Sequence, residues 1–526
     1  MKKAIYLSAS AIALFAAAPV FAQDNHSNVN QSGDDQYSTV VQDAGNGGQS
    51  SITQTGADDR ANVTQSGSNN HASVTQNGAD MAAANTYDGT NNIYSQGLSN
   101  IADVSQSGAN GRAIVDQTGN NRAQVTQRYA PGSNQTSFVK QTSDPNNGTE
   151  NYAYTDQRGN DVHAAVIQNG TNNRGGVSQN FTSYSVGTVY QQGQNNNAKV
   201  TQDGSGSSTT TNAASFITQI GDANDATSGQ TGNGSFSSIF QTTSGNKADV
   251  TQNDRSTSFV SQTNNDNTAT VNQNGNGNRS LVDQTGKNGT AYAHQEGRYN
   301  DSTIDQSAYR SAAYVYQVGQ GNDSSVDQHH GAFQLAGVYQ KGGHNDATIR
   351  QIGNANAAGI GQADVTGVNV PGLINAVQTG SADAFFGSIT AGNAYGNDAS
   401  IRQYGNASAA GTLQTGNHND ADTVQHGSAY HDVALTYQSG DDNNSLITQR
   451  GTGNVAYAEQ DGDNNHGAIF QYGDNDSASA TQKGDGGWSI ISQGGNNNSA
   501  TLMQVTDNSS SFITQTGSYN TAMVTQ

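Results

Sequence analysis

The chain has 526 residues, of which 12% are charged and 32% hydrophobic, with 63 Gly, 4 Pro, 1 Trp and no Cys. A globular enzyme carries about 25% charged and 45–50% apolar residues, so an ordinary hydrophobic core is excluded, as are disulfide scaffolds, thiolate zinc sites and a cysteine nucleophile. The formal charge of -21 argues against nucleic acid and anionic lipid as partners, because both are held by clustered Lys and Arg.

The first predicted element is residues 1–22: Met1-Lys2-Lys3, an apolar stretch from Ala4 to Ala18, then Pro19-Val20-Phe21-Ala22 before Gln23. This reads as a secretory signal peptide, since the apolar stretch is short for a span of about 20 residues and contains Ser8 and Ser10. Its removal takes two lysines and no acid, leaving 504 residues with a charge of -23.

Residues 23–526 read as one repeat array, and its clock is glutamine. Gln262, Gln273, Gln284, Gln295, Gln306, Gln317 and Gln328 are each 11 residues apart, as are Gln438, Gln449, Gln460, Gln471, Gln482, Gln493, Gln504, Gln515 and Gln526. Six residues before the Gln stands Asn, or Ser, Asp or Gly in its place: Asn443, Asn454, Asn465, Asn498 and Asn520. Four before it is a small residue (Ser445, Ala456) and two before it an aliphatic one (Ile447, Leu502). Two after it is Gly, as at Gly440, Gly451, Gly462, Gly473, Gly484 and Gly517, where positive φ is expected. Each unit therefore predicts a strand of about seven residues and a turn of about four, with Asn, small, aliphatic and Gln columns on one face.

One such strand buries almost nothing, but stacked at roughly 4.8 Å the units enclose a thin core in which Asn and Gln form ladders along the axis. The fold class predicted is all-β: a β-solenoid of stacked strand-turn-strand repeats, with about 44 strand positions making about 22 coils and a rod near 105 Å. The phase slips at 76–96, where Tyr87 stands in place of a Gln, and at 127–157, 202–219 and 362–403. Pro131, Pro145 and Pro371 fall in those stretches, where a β-array tolerates them.

Residues with other chemistry are scattered. His329, His330 and His344 form the densest histidine group, and runs such as Asp441-Asp442-Asn443 lack the Gly-Gly-x-Gly-x-Asp spacing of calcium-binding β-rolls. Gly204-Ser205-Gly206 is followed by no Lys-Ser/Thr, so it is no phosphate loop. Tyrosines at strand ends and outward columns, such as Tyr190, Tyr316, Tyr339 and Tyr437, suit cross-strand surface packing or lateral contacts. No catalytic residue, metal site or cofactor is predicted.

The pattern Asn-x5-Gln-x-Gly-x-x-Asn-x5-Gln, present as Asn443 to Gln460 around Gly451, resembles the curlin repeat. That resemblance implies a subunit of curli, the amyloid fibres that bacteria secrete across the outer membrane as biofilm matrix and adhesive. It assigns the stacking core to the Asn and Gln columns. It further implies self-assembly into cross-β fibres at the cell surface, a curli-type nucleator, an outer-membrane secretion pore with chaperones, and host or abiotic surfaces as contacts. The absence of a basic strand cluster suits a fibre-forming subunit better than a nucleator, and the last unit, ending on Gln526, leaves an edge open. A monomeric surface adhesin or ice-binding rod is the alternative. The residues before Gln (Thr53, Ser105, Asp116, Phe240, Tyr339, Arg350) do not form the regular Thr ladder that ice binding needs. A polysaccharide-cleaving β-helix would need paired carboxylates on neighbouring rungs at a fixed column, and none are expected here.

Overall fold

The computed structural model describes residues 25–34, 36–43, 47–57, 60–66, 69–77, 90–96, 100–107, 111–128, 134–144, 150–204, 210–363 and 393–526. The export segment, Tyr87, Pro131, Pro145 and Pro371 lie outside them. Among the described residues there is no helix. Strands alternate in chain order between two parallel sheets, and each pairs with the equivalent strand one coil on. The chain is a parallel β-solenoid.

Local sequence explains each strand. In Asp301–Gln306 burial alternates residue by residue, so that Ser302, Ile304 and Gln306 point inward while Asp301, Thr303 and Asp305 face out. The register then stacks like on like: Ser280 on Ser302 on Ser324, and Gln284 on Gln306 on Gln328. Period-two alternation allows no other choice, because a slip by one residue would turn the amides outward.

One sheet runs from His26–Asp34 to Thr521–Thr525 and the other from Tyr37–Asp43 to Ser510–Thr516. Two of the 23 strands in the first, Thr210–Thr211 and Ala394–Tyr395, are two residues long and only extend the pairing of longer strands. That leaves 21 full strands against 20 among the described residues, about 20 coils rather than the about 22 expected from spacing. Among the described residues the longer intervals add no rung to the ladder. Gln127 pairs with Gln157, Gln202 with Gln230, Gln351 with Gln403 and Gln362 with Gln414. Across each of these longer intervals the rungs stay in register and the ladder continues. At one rung the glutamine is missing: Ser95 pairs with both Gln65 and Gln117.

The core is narrow. Its largest fully buried side chains are ten isoleucines and Leu502, with no aromatic among them. A column of Val271, Ala293, Val315 and Val338 in one sheet accompanies Val282, Ile304, Val326 and Ile349 in the other. The remaining interior is filled chiefly by Ala, Val, Ser, Thr, Asn and Gln.

Candidate functional site

The interior amides form two kinds of ladder, and each is oriented by the main chain. Along one sheet the Gln252, Gln273, Gln295 and Gln317 amides bond in sequence, each Nε2 donating to the next Oε1 at 2.8 Å. In the other sheet Gln262, Gln284, Gln306 and Gln328 do the same at 2.8 Å, as do Gln449, Gln471, Gln493 and Gln515 at 2.8–3.0 Å, and the first sheet continues the pattern in Gln460, Gln482 and Gln504 at 3.0 Å. Every one of these Nε2 groups, as at Gln284, also donates to a main-chain carbonyl of the opposite sheet, here Thr268 O at 3.1 Å. A carbonyl oxygen accepts only, so the amide cannot flip. All Gln donors therefore point toward the C-terminal end of the stack.

Asparagine ladders run the other way. Asn465 N–H donates to Asn443 Oδ1 at 3.0 Å, and Asn443 Nδ2 donates to Asn419 Oδ1 at 3.1 Å and to Gly462 O at 2.7 Å. Here a main-chain N–H fixes Oδ1 as the acceptor. Apart from Asn465, whose Nδ2 is buried without a partner, the ladders shown here pair amide donors that would cost about 1–3 kcal/mol each if left buried and unpaired. Asn443, Asn454, Asn465 and Asn498 are buried, whereas Asn520 is half-buried and Gln526 exposed in the last coil. Gln526 Nε2 reaches only Ser510 O, at 3.4 Å.

Two members of the Asn column are aspartates. Asp432 Oδ1 accepts the Asn454 N–H at 2.8 Å and Asp476 Oδ1 accepts the Asn498 N–H at 2.8 Å. Their Oδ2 atoms are buried without a hydrogen-bond partner. In Asn454 the equivalent Nδ2 donates to Gly473 O at 2.8 Å. Burial pushes the Asp432 carboxyl up to about 6, with Asp474 adding to the rise and the main-chain N–H groups of Asn454 and Gly453 opposing it. Asp476 is raised by burial in the same way.

The turns use two left-handed positions. Gly440, Gly451, Gly462 and Gly517 have φ of 107°, 139°, 138° and 102°. Gly473 and Gly484 lie outside that region, contrary to the expectation of positive φ. What they supply is closeness: a Cβ on Gly473 would stand 1.5 Å from Gly495 O, and one on Gly484 3.0 Å from Asp507 Oδ1. The second left-handed residue, four after the Gln, went unread in the sequence. Asp442, Asn464, Asn475, Asn497, Asn508 and Tyr519 occupy it, with φ of 56–60° for all but Asn508, at 54°. Its signal was the Asn and Asp enrichment after each Gly, since these side chains tolerate this conformation best.

Outside, parallel register also stacks charge on charge. Arg279, Asp301, Asp323, Asp346, Asp398, Asp420 and Asn444 form one column. Arg279 pairs with Asp301 at 3.0 Å at one end, and Asn444 Nδ2 donates to Asp420 at 3.0 Å at the other. Asp323, Asp346, Asp398 and Asp420 are raised, chiefly by burial and next by their acidic neighbours. The column thus sets carboxylates on neighbouring rungs at a fixed position, contrary to the expectation that none would pair so; its signal was Asp five residues before every second Gln. Two columns over, Asp305, Asp327 and His329 approach one another, with His329 Nε2 2.6 Å from Asp327 and 3.7 Å from Asp305. Ser307 Oγ lies 2.5 Å from Nδ1 of the same ring, and Arg350 binds Asp327 at 3.3 Å. His330 and His344 are not part of this cluster. Tyr316 and Tyr339 stack at 5.2 Å with rings 4° from parallel.

Such ladders transmit hydrogen bonding along an axis and present repeated surfaces. No curated protein is found to match the chain. The family model described as "Curlin associated repeat" matches residues 265–307, 440–466 and 495–526, three segments that each keep the 11-residue Gln spacing, and it is to that repeat that these segments are similar.

Proposed function

We propose that the protein is a secreted structural subunit whose solenoid continues, copy upon copy, into curli-like amyloid fibres for cell adhesion and biofilm matrix. The observation that carries this reading is the directional amide ladder. Each coil offers Gln donors on one side and Gln acceptors on the other, in the same place and at the same spacing, so a coil of another copy can extend the ladder without new chemistry. Among the described residues, Ser510–Thr516 and Thr521–Thr525 pair within the chain on one side only, as do His26–Asp34 and Tyr37–Asp43. Strand edges of this kind take up further strands. The role is mechanical and not catalytic.

Export through residues 1–22 and cleavage before Gln23 rest on the signal-peptide pattern, while an outer-membrane pore with chaperones, a nucleator subunit and contact with host or abiotic surfaces follow from the resemblance to curlins; all belong to the same proposal. The test is direct. Mature protein incubated at increasing concentration is expected to form fibres that bind amyloid dyes and diffract near 4.8 Å and 10 Å. A chain that stays monomeric and gives neither reflection would instead be a surface adhesin rod.

A further inference from the structure

Five successive strands of one sheet contain no Asp, Glu, Lys or Arg: Val162–Thr171, Val186–Gln194, Ala214–Ile220, Phe236–Thr242 and Thr257–Gln262. They are consecutive rungs in parallel register. Their outer face carries Ile167, Tyr190, Phe216, Phe236, Phe240 and Phe259. Phe216, Phe240 and Phe259 are 37%, 39% and 38% exposed, and Phe236 bridges two of them, its ring centroid 5.9 Å from Phe216 and 5.2 Å from Phe259. Among the strands' own side chains, His163 is the single titratable group besides Tyr190.

The boundaries are abrupt. The rung before carries Lys140 and the rung after carries Arg279 and Asp283. Over the same coils the opposite sheet bears Arg174, Lys199, Asp203, Asp225, Lys247 and Asp249. Local composition of the core does not require this asymmetry, because inward columns are alike in both sheets. Four of the 13 Phe in the chain stand on this outer surface, in three adjacent rungs.

We infer that this face docks against the same face of a second copy of the chain, sheet against sheet. Three arguments select a second copy. A chain with a net charge of -21 repels itself over most of its surface, and this is a place where two copies meet without opposing charges. The partner's rungs have the same spacing of about 4.8 Å, so rows of Phe and Thr interdigitate at the roughly 10 Å separation of packed sheets. Five rungs of about seven residues cover about 550 Å² on each copy, roughly 1,100 Å² in all, which passes the ~1,000 Å² that a specific interface needs. The pairing is isologous, each copy giving and receiving the same patch. It is lateral, and does not depend on growth at the ends of the rod.

The absence of native cysteine makes the test clean. Ser238→Cys places a lone thiol among the phenylalanines, and Thr227→Cys places one on the opposite sheet. With freshly prepared soluble mature chain, a short bismaleimide is expected to join copies of the first variant and not of the second. In sedimentation velocity the wild type is expected to be dimeric, and Phe216→Asp with Phe259→Asp to weaken dimerisation about 10-fold or more. Thr201→Asp with Thr251→Asp, the same added charge on the other sheet, should leave it unchanged; circular dichroism checks that all variants keep their strands. A monomeric wild type, equal weakening by both charge pairs, or equal cross-linking at both sites would overturn the inference. Dye-binding growth is read separately, so dimers without fibres would support this face and count against the end-to-end reading.

Discussion

Asp432 and Asp476 differ from the asparagines around them by one donor. As carboxylates they accept the next coil's N–H and leave Oδ2 buried and unpartnered; as carboxylic acids they present an O–H where asparagine presents N–H. The folded state therefore prefers the proton, and the Asp432 carboxyl is held at about 6 against an ordinary 3.8. Because the folded pKa is the higher one, this contribution to stability is complete below about pH 4 and is lost as pH rises through about 6. Asp432→Asn with Asp476→Asn restores the donor. The double variant is expected to gain roughly 1–3 kcal/mol per site at pH 7.5 and to lose the steepest part of the pH dependence between 4 and 7. Trp488, the one tryptophan, lies in the strand Trp488–Gly494 near these coils and reports their denaturation. Identical pH profiles for variant and wild type would show that the Oδ2 atoms find solvent.

At the scale of the element, parallel register makes every column an experiment in repetition. Inward columns benefit, because an amide stacked on an amide is a hydrogen bond. Outward aspartates stacked on aspartates repel, and Asp323, Asp346 and Asp398 are raised first by burial and then by acidic neighbours, Asp301 for Asp323, Asp398 and Asp323 for Asp346, and Asp422 for Asp398. Again the folded pKa is the higher one, so these rungs gain stability as pH falls and lose it toward neutrality. Asp323→Asn, Asp346→Asn and Asp398→Asn together are expected to raise stability at pH 7 and low salt, and to abolish most of the gain that acid or salt produces in the wild type. Hydrogen exchange of strands Asp323–His329, Asp346–Ile352 and Asp398–Asn406 would show it; a neutral-pH loss of protection would contradict the repulsion argument. Glycines divide by what surrounds them, whether in a turn or, as at Gly229 in Asp225–Thr231, within a strand. A Cβ at Gly473 would fall 1.5 Å from Gly495 O, whereas one at Gly229 meets nothing closer than Val250 O at 3.9 Å. Gly473→Ala should therefore open the turn and destabilise its coil by several kcal/mol, about 3 or more, while Gly229→Ala is neutral or stabilising by about 0.5–1 kcal/mol. Chemical denaturation of the two variants decides between them.

For the whole molecule the strict alternation of sheets matters more than the number of residues. Deleting Asp461–Gln482 removes His466–Asp474 from one sheet and Ser477–Gln482 from the other. It joins Gln460 to Lys483 and the turn before Trp488–Gly494, so Val455–Asp461 and Trp488–Gly494 still belong to opposite sheets. The rod should shorten by roughly 4.8 Å and assemble nearly as before. Deleting Asp461–Ser477 is smaller but fuses Gln460 to Ala478, and both flanking strands belong to the same sheet. With no turn between them the stack must break there. Equal assembly of the two deletions, followed by dye binding and electron microscopy, would remove the solenoid phase as the organising feature of the fibres.

Much of this was legible in one dimension. Gln spaced by 11, with Asn six before and an aliphatic two before, determines strand, turn, inward face and register, because period-two alternation and amide pairing leave a single way to stack. The resemblance to curlins rests on those columns. What the tertiary structure alone decided concerns neighbours 22 or more residues apart. Spacing could not tell loop from rung, so the intervals Gln351 to Gln403 and Gln362 to Gln414 count as single steps of the ladder. Nor could it show that Asp432 and Asp476 are sealed from water, since burial depends on the coils on either side. The column of aspartates and the charge-free patch of phenylalanines exist only once alternate repeats are assigned to separate sheets, which brings residues one full coil apart to one strand spacing and lets their like charges or rings meet.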